Sequence, residues 1–164
     1  MKRLRVLLTV LVILSFAICA LGSGESSTSN QGSGQAAAQE QDDGAIGQYN
    51  VKIDSCRLAK DYEGDPVVIV KYIFTNVSND TATAFYVAMD AEVYQNGVGL
   101  NESYFLADSA NYNSDNQTKE IKKGASIEVE VAYELNDTTT DIEVEVKELF
   151  SFTNETVTKT FSIG

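Results

Sequence analysis

Histidine and tryptophan are absent from this 164-residue chain, which has only two cysteines and one proline. Without histidine there is no Ser/His/Asp or Cys/His nucleophilic site and no His-ligated metal. Cys19 lies in an apolar N-terminal run, so Cys56 has no partner for a disulfide within the rest of the chain. Two cysteines are also too few for a cysteine-ligated zinc site. The sequence therefore predicts a domain that is held together by its apolar core and is not an enzyme.

Basic residues are scarce, with 12 Lys and Arg against 24 Asp and Glu and a net charge of −12. Lys2, Arg3 and Arg5 precede the apolar run, so the remainder of the chain is more acidic than the whole. Such a surface repels phosphate backbones and anionic lipid headgroups. We expect no nucleic-acid partner, and membrane contact only through the N-terminal segment. Cations, basic proteins and neutral glycans remain compatible with this charge.

Residues 1–22 place positive charges before the apolar run 6–21, an order typical of a secretory signal. The run is slightly longer than most signal cores and shorter than most spanning helices. It is compatible with a signal peptide cleaved after Gly22, with an uncleaved anchor helix, or with a lipidated Cys19. Ile18, however, stands where lipoprotein signals carry a small residue. Each alternative places the rest of the chain outside the cytoplasm, secreted or held at the outer face of the membrane.

Two further regions follow the N-terminal segment. Residues 23–45 are rich in Ser, Gly, Gln and Ala and have no aromatic or large aliphatic side chain. Such a composition cannot bury enough apolar surface to offset ordering entropy, so it predicts a disordered tether. Residues 46–164 switch to alternating apolar and polar positions, which predicts β-strands with one buried face. We expect one domain there, in the form of a monomer.

The alternation predicts about seven strands, over 49–58, 67–75, 84–95, 98–102 and 126–135 and from Ile142 and Val157 onward. In 49–58 the apolar parity changes, which predicts a bulge at Asp54 and Ser55. The apolar run 67–75 predicts a central strand. Asn96 and Gly97 predict a tight turn between two strands.

Antiparallel strands of this length predict an all-β protein, an immunoglobulin-like antiparallel β-sandwich, with a small barrel as the alternative. Residues 60–80, 92–100, 121–135 and 142–152 resemble an uncharacterised family of extracytoplasmic, lipoprotein-like domains from Gram-positive bacteria. The resemblance implies a telokin-like immunoglobulin sandwich behind a lipoprotein signal and a Ser/Gly-rich tether. This chain matches the tether and departs from the lipidation motif at Ile18. The family implies no activity and no site residues.

Segment 107–120 carries the most suggestive polar pattern. Asp108, Asn111, Asn113 and Asp115 offer oxygen atoms at nearly alternate positions, as in loops that wrap Ca²⁺. No glycine makes a sharp turn there and no glutamate closes the loop, so a solvated loop without metal explains the composition equally well. We expect no cofactor, with calcium in this loop as the alternative.

Several tyrosines occupy polar strand positions or loops, namely Tyr86, Tyr94, Tyr104 and Tyr112. Exposed aromatic side chains can anchor proteins or glycans, but they can also pack beneath a loop. The sequence therefore predicts a non-enzymatic binding or structural module at the cell envelope, whose partner is an envelope or extracellular protein or glycan. A calcium-responsive structural domain using 107–120 is the alternative function.

Overall fold

The structure, a computed structural model, describes residues 42–77, 81–151 and 153–164. The predicted signal or anchor segment with Cys19, the apolar N-terminal helix expected there and nearly all of the predicted 23–45 tether lie outside the described residues. Among the residues that are described, no helix combines the length and the apolar character needed to cross a membrane.

Two four-stranded antiparallel sheets make up the described part of the chain, in agreement with the predicted all-β class. The first sheet has the order β1-β2-β3-β6 and the second the order β5-β4-β7-β8. The strands are β1 (Asp43–Ile46), β2 (Tyr49–Lys60), β3 (Pro66–Asn76), β4 (Met89–Gln95), β5 (Val98–Gly99), β6 (Ser126–Glu134), β7 (Ile142–Glu148) and β8 (Thr156–Phe161). Helix is limited there to one turn, α1 (Phe85–Ala88), and two 3-10 turns, Asp108–Ala110 and Asp115–Gln117.

One apolar core lies between the two sheets. The alternating side chains of β6 and β7 point into it, including Val131, Tyr133, Val144 and Val146, while the intervening glutamates face outward. Burial of each such side chain contributes roughly 1.5–3 kcal/mol. This shared core is the arrangement expected of a sandwich.

Strand β3 is buried on both faces, which confirms that the apolar run 67–75 forms a central strand. Val68, Val70 and Tyr72 face the main core. Ile69 points to the other side of the sheet, where it packs in a second cluster with Ala110 and Ala132. Segment 107–120 therefore covers the outer face of the first sheet.

Two local predictions are confirmed. The pairing of β2 with β3 shifts register between Ile53 and Ser55, where the change of apolar parity predicts a bulge. Asn96 and Gly97 both have positive φ, at 53° and 73°, and they connect β4 to β5. Positive φ at both central residues is the turn type that suits a two-residue hairpin.

The prediction of a strand over the first half of 84–95 is wrong. This half forms α1, in which Phe85 and Ala88 are buried and Val87 is 56% exposed. The buried positions 85, 88 and 89 have the spacing of one face of a helix. Positions 85 and 89 also fit the alternating pattern of a strand, so the two structures cannot be told apart over this short span. The predicted strand 98–102 is also shorter in the structure: β5 ends at Gly99, and Glu102 forms a separate bridge to Tyr133 of β6.

The first sheet begins within the segment assigned to the tether. Strand β1 starts at Asp43 and pairs with β2 through Ile46, whose side chain is fully buried. Its sequence, Asp-Gly-Ala-Ile, contains a single large apolar residue. Pairing with β2, rather than local propensity, makes it a strand.

Candidate functional site

The four tyrosines predicted to bind a partner fall into two groups. Tyr86 and Tyr104 are 60% and 70% exposed, as expected of binding residues. Tyr94 instead donates a hydrogen bond from its hydroxyl to Glu92 Oε2 at 2.9 Å, which raises its pKa. Its ring also lies against Gly99 of the neighbouring strand. Tyr94 therefore serves the packing of the second sheet.

Tyr112 is a structural residue of the 107–120 segment. Its hydroxyl accepts hydrogen bonds from Gln117 Nε2, at 2.8 Å, and from the backbone N–H of Ala132 on β6. Its ring packs on the second apolar cluster, and this burial raises its pKa. The side chain is thus committed to holding the segment on the sheet.

Segment 107–120 covers the outer edge of β6. Asn116 Nδ2 donates to Glu128 O at 2.9 Å, and Gln117 Nε2 donates to Glu130 O at 2.6 Å. Further along the same edge, the backbone N–H of Ser103 donates to Ala132 O. An uncovered strand edge invites pairing with other chains, so these bonds protect the sheet.

One of the four residues predicted to bind calcium contacts a positive charge. Arg57 Nη2 donates to the carbonyl oxygen of Asn111 at 3.0 Å. Asn113 Oδ1 accepts the backbone N–H of Asp115 at 3.2 Å, and the carboxylates of Asp108 and Asp115 are exposed. The positive charge of a guanidinium next to a candidate ligand repels a divalent cation and so weakens its binding. Calcium binding by 107–120 stays a prediction that this placement disfavours.

Arg57 and Glu130 fasten the same segment to the first sheet. Their two-pronged ion pair has N–O distances of 2.5 and 3.1 Å, and Glu130 Oε2 also accepts the backbone N–H of Asn113. Burial raises the pKa of Glu130, but the hydrogen bonds from Arg57 and Asn113 outweigh it and keep that pKa below its usual value. Cys56, the neighbour of Arg57, is half-buried against the main core, and burial raises the pKa of its thiol.

Three carboxylates approach one another in the turn between β2 and β3. Oxygens of Asp61, Glu63 and Asp65 lie within 4.8 Å of one another. Asp61 Oδ1, however, already accepts the backbone N–H groups of Glu63, Gly64 and Asp65 at 2.8 to 2.9 Å. Its role in the structure is to shape the turn.

An exposed aromatic patch lies beside this turn. It consists of Tyr62, Tyr104 and Phe105, which are 67%, 70% and 72% exposed. The rings of Tyr62 and Phe105 meet edge to face, with centroids 6.1 Å apart and an interplanar angle of 80°. Large aromatic side chains that are mostly exposed and adjacent are a common mark of a binding surface.

Backbone bonds hold the patch in place. The N–H of Tyr62 donates to Phe105 O at 3.1 Å, and the N–H of Ala107 donates to Lys60 O at 3.1 Å. Leu106, next to the patch, packs against the second apolar cluster. A surface ordered in this way loses little conformational entropy when a partner binds.

Glu102 joins the patch to a neighbouring cleft. Its Oε2 accepts the hydroxyl of Tyr104 at 2.7 Å, and this bond, with burial, raises the pKa of Tyr104 to about 12. Among the described residues, no lysine or arginine forms an ion pair with Glu102. The carboxylate is therefore available to a positively charged group.

The cleft has a volume of about 220 Å³ and lies where α1 and β4 approach β6. Its walls combine apolar and charged side chains: Phe85, Tyr86, Met89, Asp90, Ala91, Glu102, Gln117, Val131 and Leu149. Asp90 is paired with Lys147 at 3.1 Å, whereas the carboxylate of Glu102 accepts the hydroxyl of Tyr104. The exposed Tyr86 thus borders the cleft.

The tyrosines predicted from the sequence to bind a partner include Tyr86 and Tyr104, and the aromatic patch adds Tyr62, which the sequence pattern did not indicate. Tyr62 stands in the turn Asp-Tyr-Glu-Gly-Asp, and Phe105 adjoins Tyr104 outside any regular alternation. An aromatic residue in a turn rich in glycine and carboxylates has no core to enter. This turn composition is the sequence feature that could have predicted an exposed Tyr62.

The sequence profile of the DUF5067 family, described as a domain of unknown function, matches residues 24–148. This match confirms the resemblance to an uncharacterised family. No curated protein matches the chain.

Solved structures from Gram-positive bacteria share the fold. A Bacillus subtilis candidate lipoprotein, YcdA, is 16% identical with a TM-score of 0.58, and the match covers 76% of this chain and 39% of that protein. A candidate lipoprotein from Staphylococcus aureus is 20% identical with a TM-score of 0.51, covering 76% and 94% of the two chains. A protein from Enterococcus faecalis is 19% identical with a TM-score of 0.55, covering 77% and 92%. This chain therefore spans less than half of the Bacillus subtilis protein.

Proposed function

This chain belongs to the DUF5067 family, and we propose that it is a non-enzymatic binding module, carried outside the cytoplasm and tethered at the cell envelope. The observation that carries the proposal is the aromatic patch, in which Tyr62, Tyr104 and Phe105 are each at least two-thirds exposed. The partner in this proposal is a component of the envelope. We also take the two sheets as an immunoglobulin-like sandwich, a scaffold that presents binding residues on its turns.

Two other observations support this proposal. The charged and apolar N-terminal segment is typical of export, and the structural neighbours include candidate lipoproteins. The chain has no histidine, and the thiol of Cys56 is half-buried with a raised pKa, so the usual nucleophile and base pairs are missing from the sequence. Binding therefore explains the exposed aromatic side chains better than catalysis does.

Site-specific photocrosslinking tests the proposal. A photoreactive phenylalanine analogue is placed at Phe105 in the full chain, which is then irradiated on intact Gram-positive cells. We expect a discrete crosslinked product, because the patch contacts its partner directly. Val77 is the matched control position, since it is 42% exposed and follows the opposite end of β3 from the β2–β3 turn. Products of equal yield at both positions, or none at Phe105, would refute the proposed surface.

A further inference from the structure

Carboxylates surround the aromatic patch. The segments that carry it, 60–66 and 101–107, contain Asp61, Glu63, Asp65 and Glu102, with Lys60 as their basic residue. The hydroxyl of Tyr62 donates to Glu63 at 3.0 Å, so a negative charge lies at its ring as it does at Tyr104. Aromatic faces bordered by carboxylates attract cations both through the ring quadrupole and through direct charge.

The cleft beside the patch is suited to a single long side chain. Its volume of about 220 Å³ is below the roughly 300–1,000 Å³ of most small-molecule sites. Phe85, Met89 and Leu149 offer apolar walls to an aliphatic stem, and Glu102 offers a carboxylate to its charged end. Lysine and arginine have this combination of apolar stem and positive head.

We infer that the occupant of the aromatic patch is a basic protein segment, with one Lys or Arg side chain entering the cleft toward Glu102. The inference rests on the proposed function and names the class of its partner. Charge complementarity supports it, because the chain has a net charge of −12 and carboxylates border both the patch and the cleft. Other basic side chains of the partner stack on Tyr62, Tyr104 and Phe105.

The test measures binding of a short fluorescent peptide of alternating arginine and glycine to the purified full chain by fluorescence anisotropy. Glu102→Gln removes the negative charge of this side chain but keeps an oxygen that can accept the hydroxyl of Tyr104. We expect Glu102→Gln to weaken binding by about tenfold, the effect of losing one charge-assisted hydrogen bond. Phe105→Ser, a second variant outside the cleft, is expected to weaken it by a similar factor.

Glu143→Gln is the charge-matched control, because Glu143 is exposed on the outer face of the second sheet. It should change the affinity by less than about twofold. Equal weakening by Glu143→Gln and Glu102→Gln would overturn the inference, because it would reflect only the net charge. So would binding of neutral N-acetylglucosamine oligomers in place of the peptide, although the binding module would then stand. Failure of crosslinking at Phe105 would instead refute the proposed function itself.

Discussion

Replacing Gln95 with leucine is expected to lower the free energy of unfolding by about 3 kcal/mol, the largest effect of any single polar substitution proposed for this chain. Gln95 is 1% exposed at the end of β4. Its Nε2 donates to the carbonyl oxygens of Asp137 and Thr140, at 3.0 and 2.9 Å. Its Oε1 accepts the backbone N–H groups of Asn136 and Asp137, at 3.0 and 3.3 Å.

The loss is large because leucine fills the same space but leaves four backbone groups of the β6–β7 loop without their partner. Buried groups left in this state cost about 1–3 kcal/mol each, less wherever water reaches them. Urea unfolding measures the total, and hydrogen exchange at Asn136 and Asp137 should accelerate more than in the strands. Gln48→Leu is the control, because Gln48 is exposed, and it should stay within about 0.5 kcal/mol of the wild type. A loss below about 1 kcal/mol for Gln95→Leu would contradict this account.

Replacing Lys159 with methionine is expected to lower the free energy of unfolding by about 2 kcal/mol. Lys159 lies on β8 of the second sheet, and its side chain is 21% exposed. Its Nζ donates to the carbonyl oxygens of Ile53 and Asp54, at 3.0 and 3.1 Å, and pairs with Asp42 at 3.1 Å. Both carbonyls lie at the β2 bulge, where the pairing with β3 shifts register, and the ammonium links them to the second sheet.

Methionine retains the aliphatic stem of Lys159 and removes only the charge and its hydrogen bonds. Lys52→Met is the matched control, since Lys52 is 45% exposed and lies 3.5 Å from Asp54. An exposed pair of this kind contributes about 0–1 kcal/mol. Thermal unfolding of both variants separates the two cases: the melting temperature of Lys159→Met should fall by several degrees and that of Lys52→Met very little. Equal shifts would show that the lysine at the bulge is an ordinary surface charge.

Alternation in the sequence predicted the strands wherever one face meets the core and the other meets water. Strands β6 and β7 follow this rule directly, and the parity change in β2 located the bulge at Ile53 to Ser55. Within 84–95 it failed only in the first half, because the buried positions of one helical turn and of a strand coincide over so short a span. Strand β1 has almost no pattern of its own and depends on its partner β2.

The candidate site was less predictable than the fold, because its parts come from distant segments. Tyr62 and Phe105 are brought together by backbone bonds between the β2–β3 turn and the segment after β5. Tyr112 has the same residue type and a similar loop context, but its hydroxyl is used by the edge of β6. Whether Tyr112 is exposed is therefore decided by tertiary contacts that the local sequence does not encode.

The stabilising roles of Lys159 and Gln95 could not be predicted either, because their hydrogen-bond partners come from segments that are distant in the sequence. Lys159 interrupts the alternation of apolar and polar residues in its strand, and nothing in the sequence predicts its contact with the β2 bulge. Gln95 occupies the end of a strand, and only the path of the β6–β7 loop makes it a buried hydrogen-bonding centre. Side chains that bind backbone groups far away in the sequence cannot be recognised from the sequence pattern, and only the structure shows their contacts.

The most direct test of the account compares binding of the full chain and its Tyr62→Ser/Phe105→Ser variant to isolated Gram-positive cell envelopes by co-sedimentation. Truncating two central aromatic side chains of a binding surface should weaken binding at least about tenfold. Val77→Ser, at the far end of β3, should bind as the wild type does, and all three proteins should show the same thermal unfolding. Unchanged envelope binding by the correctly folded double variant would contradict the assignment of the aromatic patch as the binding surface.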